Sequence, residues 1–282
     1  MVPLNLDRPI WYDDFQERRC PMCRFGAISR CALFFPVGMA CLGLDCQGSM
    51  PAGLPASALS TDIIRILQPG DFVTYNERRE GFENGQPFTL VGTIRSSVLA
   101  STVADFAGNE ARISTITTDL VQQENQVPIT SMGQSYFSQD TDGTVYAHGF
   151  LDDTVNPPER RFVMTPTLGK SLSIPSPLRL GPVASAGLIE YTGGTTETGG
   201  TTAVEIEQVS VPAGSFVAVR LEGSATITSG MRTRTVIITS WFVPALGAAV
   251  KVESTVSVRE GSAAPILTLT ITSELRETNI PR

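Results

Sequence analysis

Cysteine is the residue type with the most obvious chemistry in this sequence, and all five cysteines lie within the first 46 residues. Cys20 and Cys23 have the two-residue spacing with which two thiolates bind one zinc ion, but a structural zinc site needs four ligands, usually from two such pairs. A thioredoxin-type redox site would need this pair at the start of a helix in an α/β pattern, and the chain that follows is β-rich. We therefore expect neither a metal ion nor a cofactor in this protein.

The same stretch is typical of an export segment. Arg24 and Arg30 precede Cys31–Leu44, a run of 14 uncharged and mostly apolar residues. A signal peptide needs about 7–15 such residues, whereas a membrane-spanning helix needs about 20. The pattern therefore predicts export, with a buried hydrophobic helix of the folded domain as the alternative.

The ends of this segment suggest how it is processed. Cys41 and Cys46 are the candidates for lipid attachment, as in a bacterial lipoprotein, and Ala56-Ser57-Ala58 is a candidate cleavage site. Translation from Met22 would give a signal of ordinary length, because the residues ahead of it contain acids that a signal peptide avoids at its start. We predict that residues 1–58 are an extension, an export segment and a linker, disordered or helical, ahead of a β-rich domain at 59–282.

His148 is the only histidine of the chain, so any Ser-His-Asp or Cys-His arrangement depends on it. The sequence contains no G-x-S-x-G motif, which would place a serine nucleophile on a sharp strand-to-helix turn. We expect His148 to face solvent or to make a structural hydrogen bond.

Four aspartates are the acidic-site candidates. The run around Asp140 and Asp142 is similar to part of a calcium loop, but its twelfth position is Gly149, where a bidentate glutamate is needed. Asp152 and Asp153 lie beside prolines, where acids usually mark a solvated loop. If these four carboxylates met, they could serve a carboxylate-dependent hydrolase.

Composition limits the classes of partner. The chain is 41% hydrophobic and only 17% charged, with a net charge of −7, which is typical of a folded globular protein. No basic cluster follows residue 46, so we expect no nucleic acid partner. Membrane contact is expected only through a lipid anchor.

Strands are predicted for nearly the whole body of the chain. Valine and polar residues alternate over Val250–Arg259, and leucine or isoleucine alternates with polar residues over Leu267–Arg276. Period two places one set on a core face and the other in water, as in an antiparallel sheet with one solvated side. Similar runs from Phe72 onward bring the total to about a dozen strands.

The connections are predicted to be short. Asp142-Gly143 is a hairpin signal, and the low-complexity run TGGTTETGGTT after Tyr191 is predicted to be a flexible loop. The proline-rich segment Thr165–Pro182 is the candidate crossover between halves at 59–165 and 183–282. We predict an all-β fold with a single large, strongly curved antiparallel sheet, either an open barrel or a sandwich.

Motifs near the C-terminus resemble a group of exported bacterial β-rich domains of unknown function, many of them lipoproteins. Their V-P-A-G-x-F motif is matched at Val211–Phe216, and Trp241–Lys251 is similar to their W-[FY]-x-P-x-x-G-x-[VI]-K hairpin. Leu67–Tyr75 resembles their first strand, and Pro177–Gly181 their central connector. The resemblance implies a curved sheet and supplies no catalytic residues. Its distinctive positions are expected to act in packing and turns: Pro212, Gly214, Phe216, Trp241, Pro244 and Gly247.

These observations favour an exported protein of the bacterial cell envelope, either periplasmic or at the outer membrane, or a secreted one. We expect it to be non-catalytic and to bind a hydrophobic small molecule, or to dock an envelope protein, on the curved sheet. The carboxylate-dependent hydrolase is the alternative.

Overall fold

The computed structural model describes residues 63–152, 157–164, 169–262 and 264–281. Over these residues the chain is all-β, with no helix and thirteen strands. In chain order the strands are β1 (Phe72–Glu83), β2 (Gln86–Ala104), β3 (Glu110–Gln122), β4 (Pro128–Gln139), β5 (Val145–Asp152), β6 (Glu159–Phe162), β7 (Ser171–Ile174), β8 (Gly181–Tyr191), β9 (Thr195–Val211), β10 (Gly214–Ser229), β11 (Arg232–Val243), β12 (Ala248–Glu260) and β13 (Leu267–Thr278).

The described strands form one antiparallel sheet. Its spatial order is β6-β5-β4-β3-β2-β1-β13-β12-β11-β10-β9-β8, and β7 pairs with β5 outside this path. Two meanders, β1 to β6 and β8 to β13, are therefore joined where the first strand pairs with the last. The predicted fold class, a single large curved antiparallel sheet, is confirmed.

The two ends of the sheet meet, so the sheet is nearly closed into a barrel. Val163, directly after β6, forms a bridge with Tyr191 at the end of β8. The backbone N–H of Met164 donates to the oxygen of Glu190 at 2.8 Å, and that of Thr192 donates to the oxygen of Phe162 at 2.9 Å. This seam leaves few strand edges exposed, which protects the sheet from pairing with other chains.

The apolar and polar residues that alternate in β12 and β13 lie on the two faces of the sheet. Leu267, Leu269, Ile271 and Leu275 are buried, whereas Thr268 and Thr270 are exposed. In β12 the valines at positions 256 and 258 are buried in the same way. Burial of the apolar set stabilises the barrel by about 25 cal/mol for each Å² removed from water.

Two of the large apolar clusters in the barrel have polar residues between them. One cluster includes Phe88, Leu120 and Ile271, and the other includes Tyr75, Phe216 and Leu275. On β13 the buried Ser273 lies between Ile271 and Leu275. The inward alternation is thus interrupted by polar side chains at one level of the barrel.

One sequence expectation is wrong. The run after Tyr191 is not a loop beyond Gly194, because β9 begins at Thr195 and pairs with both β8 and β10. Threonine favours strands, and Gly199 and Gly200 lie on β9 between its partner strands β8 and β10. The proline-rich segment between β6 and β8 also contains a short strand, β7.

Candidate functional site

A cavity of about 200 Å³ lies inside the barrel. Most of its wall is apolar and comes from opposite sides of the sheet. The apolar lining includes Val73, Ile94, Val98, Phe137, Val145, Ile174, Ile238, Phe242 and Val252. These positions share one face of the sheet because inward residues recur at every second position of each strand.

Polar side chains form a minor part of the cavity lining. Ser96 and Ser114 are hydrogen-bonded to each other, with 2.9 Å between their Oγ atoms. Ser135 lies opposite Ser114 on the neighbouring strand and is also buried. Ser240 also lines the cavity and is 2% exposed, and its buried hydroxyl has no hydrogen-bond partner among the described residues. A buried hydroxyl without a partner costs free energy, so a ligand that satisfied it would gain affinity.

A buried ion pair adjoins the cavity. Glu77 lines it, and the Oε1 atom of Glu77 accepts a hydrogen bond from Nε of Arg79. Its Oε2 atom accepts one from Ser273 Oγ at 2.8 Å. Burial raises the pKa of Glu77, and the attraction of Arg79 and the Ser273 hydrogen bond oppose that rise. The Glu77–Arg79 ion pair therefore puts charged groups beside a largely apolar cavity.

A second polar cluster lies on the outer face of the barrel, around the single histidine. The Nδ1 atom of His148 on β5 is 2.7 Å from Oδ2 of Asp105, and its Nε2 atom is 2.8 Å from Oγ of Ser138 on β4. Asp105 belongs to the turn between β2 and β3. Three separate elements therefore contribute one residue each to a Ser-His-Asp arrangement.

This arrangement is partly shielded from solvent. His148 is 1% exposed, Asp105 is buried, and Ser138 is half-buried. Burial lowers the pKa of His148, Asp105 opposes that effect, and the positive charge of Lys170 adds to it. Burial would raise the pKa of Asp105, but hydrogen bonds from Asn109 and His148 outweigh burial and lower it. These directions favour a neutral imidazole beside an ionised carboxylate.

From the sequence we expect only a structural hydrogen bond or solvent exposure for His148, and no pattern links it to Ser138 or Asp105. The histidine is separated from Asp105 by 43 positions along the chain, and Ser138 lacks the G-x-S-x-G motif that usually reveals a serine nucleophile. The one available signal was the position of Ser138 and His148 on adjacent predicted strands.

The described acidic candidates lie in different places. Asp140 and Asp142 occupy the exposed turn before β5, where the Asp142 carboxylate accepts the backbone N–H of Thr144 at 2.8 Å. Asp152 is the last residue of β5 and accepts a hydrogen bond from Arg161 at 3.1 Å. The strand thus separates Asp140 and Asp142 from Asp152. Asp153, Cys41 and Cys46 lie outside the described residues.

The residues of the resembled motifs lie at packing positions and turns. Pro212 lies in the connection from β9 to β10, Gly214 is the first residue of β10, and Phe216 is buried in an apolar cluster. Trp241 is half-buried and donates from Nε1 to Oε1 of Glu207 at 2.6 Å. Pro244 and Gly247 form the turn from β11 to β12, whose Pro244 oxygen accepts the N–H of Arg65 at 2.9 Å.

The carboxyl group of Glu197 is buried near the barrel seam, and its raised pKa can be tested. Tyr191 donates a 2.7 Å hydrogen bond to Oε2 of Glu197, and both residues are buried. Burial raises the pKa of Glu197 to about 7, although the Tyr191 hydrogen bond and the charge of Arg234 oppose the rise. Ionising Glu197 therefore weakens the folded state.

We expect Glu197→Gln to stabilise the protein at pH 8 by up to about 3 kcal/mol and to have little effect near pH 4. As pH rises from about 4.3, the unfolded chain loses this proton first, so wild-type stability falls until the folded pKa is passed. Glutamine stays neutral and keeps an acceptor for Tyr191. Urea unfolding at both pH values measures the difference, and Glu260→Gln changes an exposed glutamate as the control. An equal effect of Glu197→Gln at both pH values would contradict the prediction.

Two further properties concern only the part of the chain that the structure describes. No three His, Cys, Asp or Glu side chains there are grouped as ligands for a metal ion. The same residues include no helix long and apolar enough to cross a membrane.

No protein family model matches the chain, and no curated protein matches it. Among solved structures, the chain is similar to a protein from Bacteroides fragilis provisionally assigned as exported, with a YmcC-like fold. That match has 13% identity and a TM-score of 0.39, and covers 77% of this chain and 99% of the other. A provisionally assigned lipoprotein from Parabacteroides distasonis matches at 11% identity and a TM-score of 0.33, over 75% of this chain and 96% of the other.

Proposed function

We propose that this protein binds a hydrophobic small molecule inside its barrel. The observation that carries the proposal is the cavity of about 200 Å³ within the nearly closed sheet. Ligand sites are typically concave and mostly apolar, with a few polar groups that orient the ligand. This cavity has that composition, because serine hydroxyls, Glu77, Asp71 and Gln139 interrupt a mostly apolar wall.

The wall indicates the chemistry of the ligand. An apolar body would be buried against side chains such as Ile94, Phe137 and Phe242. One hydrogen-bonding group on the ligand would pair with the hydroxyl of Ser240, which has no partner among the described residues. We therefore propose a lipid-like molecule with an apolar body and a small polar group.

Binding of the fluorescent hydrophobic probe N-phenyl-1-naphthylamine tests this proposal. We expect saturable binding by the wild type and at least a tenfold weaker affinity after Ser135→Phe, because the new ring would project from a buried lining position into the cavity. The matched control is Met132→Phe on the same strand, since Met132 is 59% exposed and does not line the cavity.

The outcomes of the probe titration are distinct. Equal affinities for the wild type and both variants would place the probe elsewhere and contradict binding in the barrel. A complete lack of probe binding by wild-type protein would favour a structural or partner-docking role for the sheet. Thermal unfolding of each variant establishes whether Ser135→Phe retains the fold.

We further propose that the protein acts in the bacterial cell envelope. The support is the sequence: arginines precede the uncharged run Cys31–Leu44, with Cys41 and Cys46 available for acylation. Mass spectrometry of the protein from membrane and soluble fractions of its native host tests this. A diacylated cysteine or a cleaved N-terminus is expected, and intact protein from Met1 confined to the cytosol would contradict export.

A further inference from the structure

We propose that Ser138, His148 and Asp105 form a hydrolytic site for carboxylic esters of short acyl chains, on the outer face of the barrel. This site is separate from the cavity, because Ser138 does not line it, whereas its neighbours Phe137 and Gln139 do. The activity would be additional to ligand binding and rests on different residues.

The hydrogen bonds define the role of each nitrogen of His148. The acceptor at Nδ1 is the Asp105 carboxylate at 2.7 Å, so the ring proton lies on Nδ1. The Nε2 lone pair then faces the Ser138 hydroxyl at 2.8 Å and can accept its proton. In this orientation a neutral histidine is a general base toward a serine.

The carboxylate is held firmly in place. Its Oδ1 atom accepts the backbone N–H groups of Ala107 at 2.8 Å and Asn109 at 2.7 Å. Its Oδ2 atom accepts Nδ2 of Asn109 at 3.0 Å as well as the histidine. A Cβ atom at Gly169 would lie 2.9 Å from Oδ2, so this residue packs directly on the carboxylate. Asp105 is therefore a positioning residue that orients the imidazole.

The surroundings of Ser138 limit the substrate. Ser138 is half-buried and pairs with Tyr146 on β5, and Nζ of Lys170 lies 3.9 Å from the centroid of the Tyr146 ring. Ser138 does not line the apolar cavity, so the cavity is not expected to receive an acyl chain attached at Ser138. A short acyl group, such as acetyl, needs no such pocket.

The reaction that these groups support is two-step ester hydrolysis. Oγ of Ser138 attacks the carbonyl carbon while its proton passes to Nε2 of His148, and the C–O bond of the ester breaks as that proton moves to the leaving alcohol. Water then attacks the acyl-serine and gives one proton to Nε2. Collapse of this intermediate returns that proton to Oγ and releases the carboxylic acid.

The test uses the full-length protein with 4-nitrophenyl acetate as substrate and a fluorophosphonate as covalent label. We expect the label to map to Ser138 by peptide mass spectrometry. Ser138→Ala should abolish labelling, and both Ser138→Ala and His148→Gln should lower kcat/KM by about 100-fold or more. The control is Ser210→Ala, because Ser210 Oγ has a hydroxyl partner, Ser215, at 2.8 Å, and we expect this variant to match the wild type.

The variant Asp105→Asn tests whether Asp105 orients the imidazole of His148 or only stabilises the fold. Asp105 raises the pKa of His148, so its replacement should move the acidic limb of the kcat/KM profile to lower pH while kcat falls. If Asp105 only stabilised the β2–β3 turn, the acidic limb of the kcat/KM profile would stay at the same pH. Ser138→Ala is a small change at a half-buried residue, and its thermal unfolding is measured alongside.

Two results would overturn the proposal. One is a wild-type protein that the fluorophosphonate does not label at Ser138. The other is equal hydrolysis of 4-nitrophenyl acetate by the wild type and a folded Ser138→Ala variant.

Discussion

Replacing Arg79 by methionine should lower the free energy of unfolding by about 3–5 kcal/mol at pH 7. The side chains of Arg79 and Glu77 are 1% and 0% exposed, so the substitution leaves a carboxylate in the barrel without its cationic partner. Methionine keeps most of the volume of the arginine stem, which restricts the change to charge and hydrogen bonding. Urea unfolding of the wild type and variant measures the loss.

Two companion variants make this result specific. Arg78→Met removes the neighbouring arginine, which is 54% exposed and paired with Glu80, and should cost less than about 1 kcal/mol. The double variant Glu77→Gln with Arg79→Met should recover much of the loss, because no charge then remains buried and Ser273 keeps an acceptor.

The single Arg79→Met variant should also respond to pH. Burial raises the pKa of Glu77 in the folded state, and removal of Arg79 raises it further. The unfolded chain loses this proton first as pH rises above about 4.3, so the cost of the substitution should be smaller at pH 4 than at pH 7. A double variant as unstable as the single one would show that the buried charge is not the cause.

Gly143→Ala should destabilise the protein by about 3 kcal/mol or more. Gly143 has a φ of +89°, which alanine rarely adopts, and a Cβ atom there would lie 2.2 Å from the backbone oxygen of Ile64. Relief of this contact must move backbone on one side, and Ile64 is fully buried in an apolar cluster. The midpoint of thermal or urea unfolding measures the effect.

Gly85→Ala is the matched control for this substitution. Gly85 lies in the turn between β1 and β2 with a φ of +78°, but nothing lies within 4 Å of a Cβ atom placed there. Its replacement should therefore cost only the backbone strain, about 1–2 kcal/mol. If both variants were equally stable, the close approach of Ile64 to Gly143 would have no energetic weight.

Gly143 and Gly85 show which properties of a turn can be predicted from its own residues. Asp142-Gly143 is a recognisable hairpin signal, because a residue with positive φ is needed there. The same letters say nothing about Ile64, which is 79 positions earlier in the chain. The turn was predictable, but the tertiary contact that makes its glycine hard to replace was not.

The buried ion pair shows a similar limit. The run Glu77-Arg78-Arg79-Glu80 is entirely charged, so its composition suggests a solvated strand. Alternation from Val73 and Tyr75 places Glu77 and Arg79 inward and Arg78 and Glu80 outward. Only the neighbouring strands decide whether an inward position meets water, an apolar cluster or a partner such as Ser273.

The sequence by itself determined the fold class, because period-two alternation is a local property that each strand carries in its own residues. It also determined most strand positions. The uncharged run Cys31–Leu44, which precedes the barrel, is likewise visible in the sequence alone. The tertiary structure decided the closure at Val163 and Tyr191, the cavity, and the meeting of Ser138, His148 and Asp105. These depend on register, curvature and side-chain contacts between distant segments, which no local pattern specifies.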